Sequence, residues 1–398
     1  MIMDKYLVLN FFLCFLLLLL FPLGAVFLSM FLLLGKKGGK YIWLFSLMVA
    51  SYLSFINCSK DIMSDSDLPW YTTQYLMAGD MKFIPYIFQF GMNGKGRELF
   101  FPTFNYLVYF IARGNVKLYI FIHSFVCYSL SFLAIIRLFK YMKVERKNIV
   151  YPIIWLTCFP WTFTYTSTLL RQFLAGSILL CIIVEHCFYK KKMIIPYICM
   201  FLTHTSSLIF LPLLYLNFFK KKITIKTLVL YVCGLLVFVF IQSISSFLFK
   251  FVSGDNALSY VLSRASTNTT FELPPLGIGK VVFLILSIVI CLYAFYSKKK
   301  IIMLTIEHLP VVNSIVVFNL FILANLNQLE LSNRFFFYSS MLSIFPIIYY
   351  FGNKQFSLTR TIGFSVIMNL VLIFYILSSS YDYNIPSGFL LFPIISVQ

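Results

Sequence analysis

Arg171 is the residue whose surroundings point most directly to a chemical role. It follows a polar stretch containing Thr166, Ser167 and Thr168, and it opens the apolar run from Gln172 to Val184. This pattern predicts that Arg171 lies in the first turn of a helix entering the membrane from outside, where free N–H groups and the helix dipole add positive charge. A guanidinium there suits a phosphate or diphosphate. The alternative is an interfacial arginine that snorkels to lipid headgroups.

Two further arginines can extend this cationic site. Arg334 follows a predicted capping pair, Ser332-Asn333, and opens another apolar run. Arg171 and Arg334, each at the outer end of an inward-going helix, can therefore clamp one diphosphate, although a snorkelling role is again the alternative. Arg264 is a third candidate in a polar loop, where a solvated charge would explain it equally simply.

His204 lies in a short polar segment, THTSS at 203–207, between two apolar runs. An ionisable side chain at membrane depth is a candidate functional residue by default, and an imidazole can accept a proton from an attacking hydroxyl. The alternative is a packing histidine that is hydrogen-bonded to a neighbouring hydroxyl. The other three histidines, His123, His186 and His308, have no comparable surroundings.

Carboxylates and tyrosines before residue 100 form a second candidate group. Asp65 and Asp67 form a DxD triplet, and residues two apart face the same way in an extended segment, so they could hold a divalent ion. For so short a motif, a role as general base or as a contact to sugar hydroxyls is a better interpretation than metal binding. Asp67, Tyr71 and Tyr75 follow at intervals of four, which predicts a sugar-binding surface. Glu98 precedes an apolar run, where it is either a general base or a helix N-terminal acid.

The composition predicts that helices in a membrane must position these residues. Hydrophobic residues make up 61% of the 398 and charged residues only 11%, against roughly 25% charged in a soluble domain. We therefore predict an all-α polytopic membrane protein that forms one helical domain over 1–398, with about eleven or twelve transmembrane or re-entrant helices. The predicted spans are near 6–34, 41–57, 117–139, 148–168, 170–189, 227–252, 277–297, 303–326, 335–351 and 361–379.

Lysine blocks predict the topology. The net charge of +19 comes largely from short blocks between apolar runs, such as Lys190 to Lys192 and Lys220 to Lys222, which is the pattern of cytoplasmic loops and not of a nucleic-acid-binding face. Because both blocks are predicted to lie on the cytoplasmic side, the segment 193–219 is predicted to be a re-entrant hairpin with its tip near His204. The nine cysteines show no metal or disulfide spacing.

This topology places most polar chemistry on one side of the membrane. It leaves two extracytoplasmic loops, 58–117 and 253–276, and a predicted interfacial helix from Phe101 to Arg113. Of the thirteen acidic residues, only Glu145, Glu185 and Glu307 fall on the cytoplasmic side. The extracytoplasmic face is therefore where we expect the site.

Several of these motifs resemble a known family, the EpsG/Wzy type of polysaccharide polymerase. An RQ-x-x-A helix start, here at 171–175, is followed about thirty residues later by H-x-S, here at 204–206. Asp67 with Tyr71 is similar to an early Asp/Tyr element of the family, with one extra residue of spacing. Glu98 resembles its acidic residue before a helix, and Asn333-Arg334 resembles its late arginine.

The resemblance implies a GT-C-like membrane glycosyltransferase in the bacterial inner membrane. It would join undecaprenyl-diphosphate-linked oligosaccharides into O-antigen, capsule or exopolysaccharide, with its active site facing the periplasm or cell exterior. Donor and acceptor are both lipid-linked, and the diphosphate is held by Arg171, Arg334 and Arg264. Glu98, Asp67 or His204 would be the base, and Asp65, Tyr71 and Tyr75 would contact sugar. The resemblance implies neither metal nor other cofactor, and it leaves room for a chain-length regulator protein as partner.

Three other classes of protein remain as alternatives. A flippase for lipid-linked oligosaccharide shares the lipid diphosphate, but it predicts charges along a path through both leaflets. An O-antigen ligase uses the same donor, but its main catalytic loop usually lies late in the chain. A membrane acyltransferase could use a buried histidine, but it would not explain arginines at outer helix ends.

Overall fold

The regular structure of the described residues is helical. The computed structural model describes residues 5–36, 38–62, 67–92, 98–252, 262, 275–296, 306–352 and 355–378. Within these ranges there is no strand, and four helices are long and apolar enough to cross a membrane: Gly38–Cys58, Val116–Met142, Leu170–Phe188 and Leu358–Ser378. Several shorter apolar helices accompany them. The prediction of an all-α polytopic membrane protein is therefore confirmed.

The helices follow one another with short connections. Those of the first half are α1 (Lys5–Leu20), α2 (Pro22–Leu34), α3 (Ile42–Cys58), α4 (Leu68–Met77), α5 (Phe83–Ile87), α6 (Phe100–Ala112), α7 (Val116–Met142), α8 (Val150–Cys158), α9 (Pro160–Thr168) and α10 (Leu170–Ile183). Those of the second half are α11 (Ile194–Thr203), α12 (Phe210–Tyr215), α13 (Ile225–Val239), α14 (Ile241–Phe249), α15 (Ile278–Tyr296), α16 (Leu309–Ala324), α17 (Leu329–Leu342), α18 (Ile344–Phe351) and α19 (Leu358–Ser378). A π-helical turn, Val184–Phe188, extends α10.

Prolines divide two apolar runs that the sequence predicts as single spans. The run predicted at 6–34 forms α1 and α2, and the run predicted at 148–168 forms α8 and α9. Pro22 and Pro160 are the first residues of α2 and α9. Because proline lacks an N–H and its ring clashes with the preceding turn, it begins a helix more readily than it continues one. The prediction of one continuous helix in each run was wrong.

The segment 193–219 folds back on itself, as the lysine blocks predict. Between its two arms, α11 and α12, His204 has an extended backbone (φ −154°, ψ 113°). The ring of Tyr215, at the end of α12, lies 6.1 Å from Tyr197 near the start of α11 and 4.3 Å from His186, measured between ring centroids. The ends of α11 and α12 that are remote from His204 therefore lie together, and His204 is at the tip of the hairpin.

Helix α10 is held in the core by α7 and α17. Ser131 of α7 donates a hydrogen bond to Ser177 of α10 over 3.1 Å. On another face of α10, a Cβ atom at Gly176 would lie 3.4 Å from the ring of Phe337 in α17. A Cβ there would make only an ordinary van der Waals contact, so α10 and α17 pack against each other through a small residue, as at many helix interfaces in membranes. This packing gives Arg171, at the start of α10, a rigid support.

Ion pairs mark the end of the bundle opposite Arg171. Glu185, after the last turn of α10, contacts Arg137 at 2.6 Å and Lys191 at 2.7 Å, and Lys190 lies 3.9 Å from Glu307. We call this the ion-pair end, and the end with Glu98 and Arg171 the site end. The predicted topology places both glutamates and both lysines on one side of the membrane, and these contacts agree with that grouping. Which end faces the cytoplasm stays a prediction.

Candidate functional site

Glu98 and Arg171 form a buried ion pair at the site end. Arg171 Nη1 donates to Glu98 Oε2 over 2.6 Å, and their side chains are 18% and 6% exposed. Glu98 lies two residues before α6, and Arg171 is the second residue of α10, in the first turn where the sequence predicts it. Because an unpaired charge is costly to bury, each partner fixes the other in place.

Two aromatic residues of α4 surround the guanidinium of Arg171. Its Nε donates to Tyr71 Oη over 3.4 Å, and its central carbon lies 4.8 Å from the Trp70 ring and 5.5 Å from the Tyr71 ring. Burial raises the pKa of the Tyr71 hydroxyl, against the opposing charge of Arg171, so the phenol stays protonated. No described residue accepts a hydrogen bond from Nη2 of Arg171, which can therefore donate to a ligand.

Glu98 also ties the tip of the 193–219 hairpin to Arg171. Its second oxygen, Oε1, accepts a hydrogen bond from the backbone N–H of Thr205 over 3.0 Å and lies 3.5 Å from the Thr205 hydroxyl. One carboxylate thus bonds a residue of α10 and a residue next to His204. With both of its oxygens engaged, Glu98 holds Arg171 and this segment in place.

His204 begins a chain of hydrogen bonds that ends in α17. Its Nδ1 lies 2.5 Å from Ser206 Oγ, and Ser206 donates to Tyr338 Oη over 3.4 Å. Which group donates between Nδ1 and Ser206 depends on the tautomer of the histidine, and in the tautomer that carries its proton on Nδ1 the other nitrogen, Nε2, keeps its lone pair. None of the residues that the structure describes forms a hydrogen bond with Nε2. In that tautomer Nε2 can accept a proton from a ligand.

Arg334 lies in the second turn of α17 and not at its start. The side-chain amide of Asn333 donates to the carbonyl of the first residue of α17 over 2.9 Å. The predicted capping pair Ser332-Asn333 is therefore inside the helix, and the capping prediction was wrong, because polar side chains that bond backbone carbonyls are tolerated there. Arg334 is still near enough for its charge to act on Tyr71 and His204.

Lys280 is a cation of this region that the sequence analysis missed. It lies in the first turn of α15, where Nζ donates to Tyr165 Oη over 3.1 Å and to Asn333 Oδ1 over 3.4 Å. Since Asn333 adjoins Arg334, Lys280 extends the positive charge along α17. The signal was present in the sequence: this lysine stands at the predicted outer end of an apolar run, against the positive-inside pattern.

The remaining candidates fall at the edge of the site or beyond the described residues. Asp67 directly precedes α4 with helical backbone angles (φ −71°, ψ −3°), so the extended geometry expected for the DxD triplet was wrong at this residue. Its charge acts on both Tyr71 and Arg171. Asp65 and Arg264 lie outside the described residues.

Tyr75 is packed in the core below the site. Its ring stacks on Tyr119 with 4.2 Å between centroids, and its hydroxyl donates to the carbonyl of Asn115 over 3.4 Å. It thus supports α4 in this conformation and presents no face to a sugar. Trp70, which is 42% exposed, is an aromatic residue of the site that reaches the surface, and no sequence motif indicated it.

The arrangement brings several cations and an imidazole to the same end of the bundle. Arg171, which is paired with Glu98, lies there with Arg334 and Lys280, and cations of this kind can stabilise the negative charge of a leaving diphosphate. His204 can take a proton from an attacking hydroxyl. Among the described residues, no three His, Cys, Asp or Glu side chains come together as a metal site. A metal-independent reaction stays a prediction.

The sequence model of the EpsG family, a family of Wzy/EpsG-type polysaccharide polymerases, matches residues 43–393 of the chain. The matched range contains all the site residues described above. Comparisons with curated proteins and with solved structures found no match.

Proposed function

The chain belongs to the EpsG family of polysaccharide polymerases, and we propose that it joins oligosaccharide repeat units carried on undecaprenyl diphosphate. The growing glycan is the donor, and the non-reducing sugar of a new lipid-linked unit is the acceptor. The reaction takes place at the site end, which we place on the extracytoplasmic face of the bacterial inner membrane. The product is an O-antigen, capsule or exopolysaccharide.

One observation carries this proposal: the carboxylate of Glu98 holds Arg171 and the His204 hairpin together. Arg171 is 2.6 Å from one oxygen of Glu98, and the N–H beside His204 is 3.0 Å from the other. A cation for the leaving group and a base for the nucleophile are thus fixed in one site, as glycosyl transfer from a lipid diphosphate requires.

The proposed reaction is a single displacement of the diphosphate by a sugar hydroxyl. The bond between the anomeric carbon of the donor and the diphosphate oxygen breaks, and a new bond forms from that carbon to the acceptor oxygen. His204 Nε2 takes the hydroxyl proton. Arg171 stabilises the negative charge that develops on undecaprenyl diphosphate, and Arg334 and Lys280 add positive charge at the same end of the bundle.

Deletion of the gene in its host, followed by gel electrophoresis of the surface glycan, tests the function. A polymerase predicts that the deletion strain carries a single repeat unit on its normal acceptor and that wild type restores the ladder. Loss of all surface glycan, with lipid-linked units trapped inside, would instead identify a flippase. Polymer that stays on its lipid carrier without reaching the acceptor would identify a ligase.

Lys280→Gln is expected to weaken the use of lipid-linked donor. Loss of one charge-assisted contact to a diphosphate, about 1.5–3 kcal/mol, corresponds to a rise of about tenfold or more in the donor concentration that gives half the maximal rate. Lys280→Arg keeps the charge and should retain most activity. Lys226→Gln is the matched control, because Lys226 is an exposed lysine in the first turn of another apolar helix, α13. Equal effects of Lys280→Gln and Lys226→Gln would argue against a ligand contact.

Chelation of divalent ions is expected to leave polymerisation unchanged. The three cations of the site can meet the charge of the leaving diphosphate without a metal. The measurement is the rate of ladder formation by purified protein and lipid-linked repeat unit, before and after EDTA. Loss of activity that Mg²⁺ or Mn²⁺ restores would overturn this part of the proposal.

A further inference from the structure

A large apolar groove runs from the site end towards the ion-pair end. Its volume is about 470 Å³, and it lies between α6, α7, α10 and α11. Its walls are mostly hydrocarbon side chains, among them Phe104, Leu130, Leu133, Leu174 and Ile178. Leu133, at 37% exposure, lies at the side where the groove meets the surface of the bundle.

The lining of the groove begins close to the Glu98–Arg171 ion pair along the chain. Phe100, two residues after Glu98, lines the groove. On α10 the lining positions 174, 178, 181 and 185 follow Arg171 at intervals of three or four, so they form one stripe of the helix below the guanidinium. From Leu174 to Glu185 this stripe is about 16 Å long, which is about half the thickness of the hydrocarbon core.

Charged side chains bound the groove at its far end. Arg137, Glu185 and Lys191 line it there, and Glu185 holds both cations at 2.6 and 2.7 Å. The apolar column therefore lies between two charged clusters. Hydrocarbon, not water, is the stable content of such a space, because its walls offer water few hydrogen-bond partners.

We propose that this groove binds the isoprenoid chain of a polyprenyl-diphosphate-linked substrate, next to its diphosphate. The inference rests on the proposed function. A lipid whose diphosphate contacts Arg171 has its first isoprene units at the top of the same stripe of α10. The start of the groove at Leu174, one helical turn from Arg171, favours this occupant over a bilayer phospholipid, whose single phosphate could instead sit at the ion-pair end.

Photocrosslinking tests the occupant without turnover. The probe is a sugar-free polyprenyl diphosphate with a photoreactive group on its third isoprene unit, added to the purified full-length chain in lipid nanodiscs. Labelled peptides are expected from 126–137, 174–185 and 193–199, and unlabelled polyprenyl diphosphate should compete while phosphatidylglycerol should not. Labelling confined to other helices, or equal competition by phosphatidylglycerol, would overturn the inference.

Two variants narrow the groove, and one serves as a control. Ile178→Trp fills a buried wall position, and Leu133→Trp fills the partly exposed side, so at least one variant should fold normally. Each is expected to reduce labelling severalfold in monodisperse protein. Leu286→Trp, at a half-exposed position of α15 that does not line the groove, should not change labelling. Unchanged labelling in a folded groove variant would contradict the assignment.

The outcomes for the groove and for the proposed function can be separated. Labelling of the groove in a protein that makes no polymer would support the isoprenoid site and contradict the proposed polymerase function. Normal polymerisation with labelling outside the groove would support the polymerase function and contradict the isoprenoid site.

Discussion

Arg171→Ala is expected to reduce the rate of polymer formation about 100- to 1,000-fold, the range seen when one donor that stabilises a developing anion is removed. Arg171 is the cation that Glu98 and two aromatic rings hold in place, and its Nη2 is available to the leaving diphosphate. Arg171→Lys keeps the charge but loses the planar fork of donors, so it should recover only part of the rate. The measurement is the initial rate with purified protein and lipid-linked repeat unit.

Stability and catalysis must be separated at this position. Arg171→Ala leaves the Glu98 carboxylate buried without its partner, which typically costs about 3–5 kcal/mol of folding free energy. The double variant Glu98→Gln/Arg171→Ala removes that charge, so its thermal stability should recover while its polymerisation stays low. Arg360→Ala is the matched control, because Arg360 is an exposed arginine in the first turn of another long apolar helix, α19. Recovery of activity in the double variant would show that Arg171 has only a structural role.

His204→Asn is expected to reduce the maximal rate about 100- to 10,000-fold, the usual contribution of a general base. Its Nδ1 is within hydrogen-bonding distance of Ser206, and we assign proton acceptance to Nε2, which has no hydrogen-bond partner among the described residues. In the wild type the rate should fall as the pH is lowered, since a protonated imidazole has no lone pair to accept a proton. This acidic limb should be absent from the residual activity of the variant. An unchanged pH profile would assign the base role to another group.

His308→Asn is the matched control for His204. His308 is also buried, and its Nδ1 lies 3.1 Å from the hydroxyl of Tyr349, but it lies at the ion-pair end beside Glu307. Its variant should lose stability without losing activity per folded molecule. Ser206→Ala should lower the maximal rate less than His204→Asn and leave the half-saturating donor concentration unchanged, as expected of a positioning residue.

The sequence alone predicted the class of fold. It also predicted that a helix begins near Arg171 and that His204 lies where the chain turns back. Long apolar runs with few charges require helices in a membrane, because backbone groups in hydrocarbon must bond within their own segment. The polar-to-apolar transition at Arg171 located a helix start to within one residue. The lysine blocks on both sides of 193–219 predicted that this segment turns back, and His204 is at its tip. These features depend on neighbouring residues or on the charges that flank a segment, so the sequence pattern is sufficient to predict them.

Where one helix ends and the next begins depended on contacts that the pattern does not contain. Ser332 and Asn333 have the residue types of a helix cap, yet α17 starts at Leu329 because Asn333 bonds a backbone carbonyl inside the helix. Tyr75 shares the four-residue spacing of Asp67 and Tyr71, yet it stacks on Tyr119 in the core. Spacing on a helix decides which residues share a face, but only packing decides what that face meets.

The tertiary structure alone decided how the site is assembled. Glu98 and Arg171 are 73 residues apart in the chain, Glu98 and Thr205 are 107 apart, and Ser206 and Tyr338 are 132 apart. Lys280 is linked to the helix of Arg334 by its hydrogen bond to Asn333, which is 53 residues later in the chain. Sequence could name the arginine, the histidine and the carboxylate as separate candidates. Their joining through one carboxylate follows from the packing of α6, α10 and the 193–219 hairpin, because a buried charge is stable only where the fold brings its partners to it.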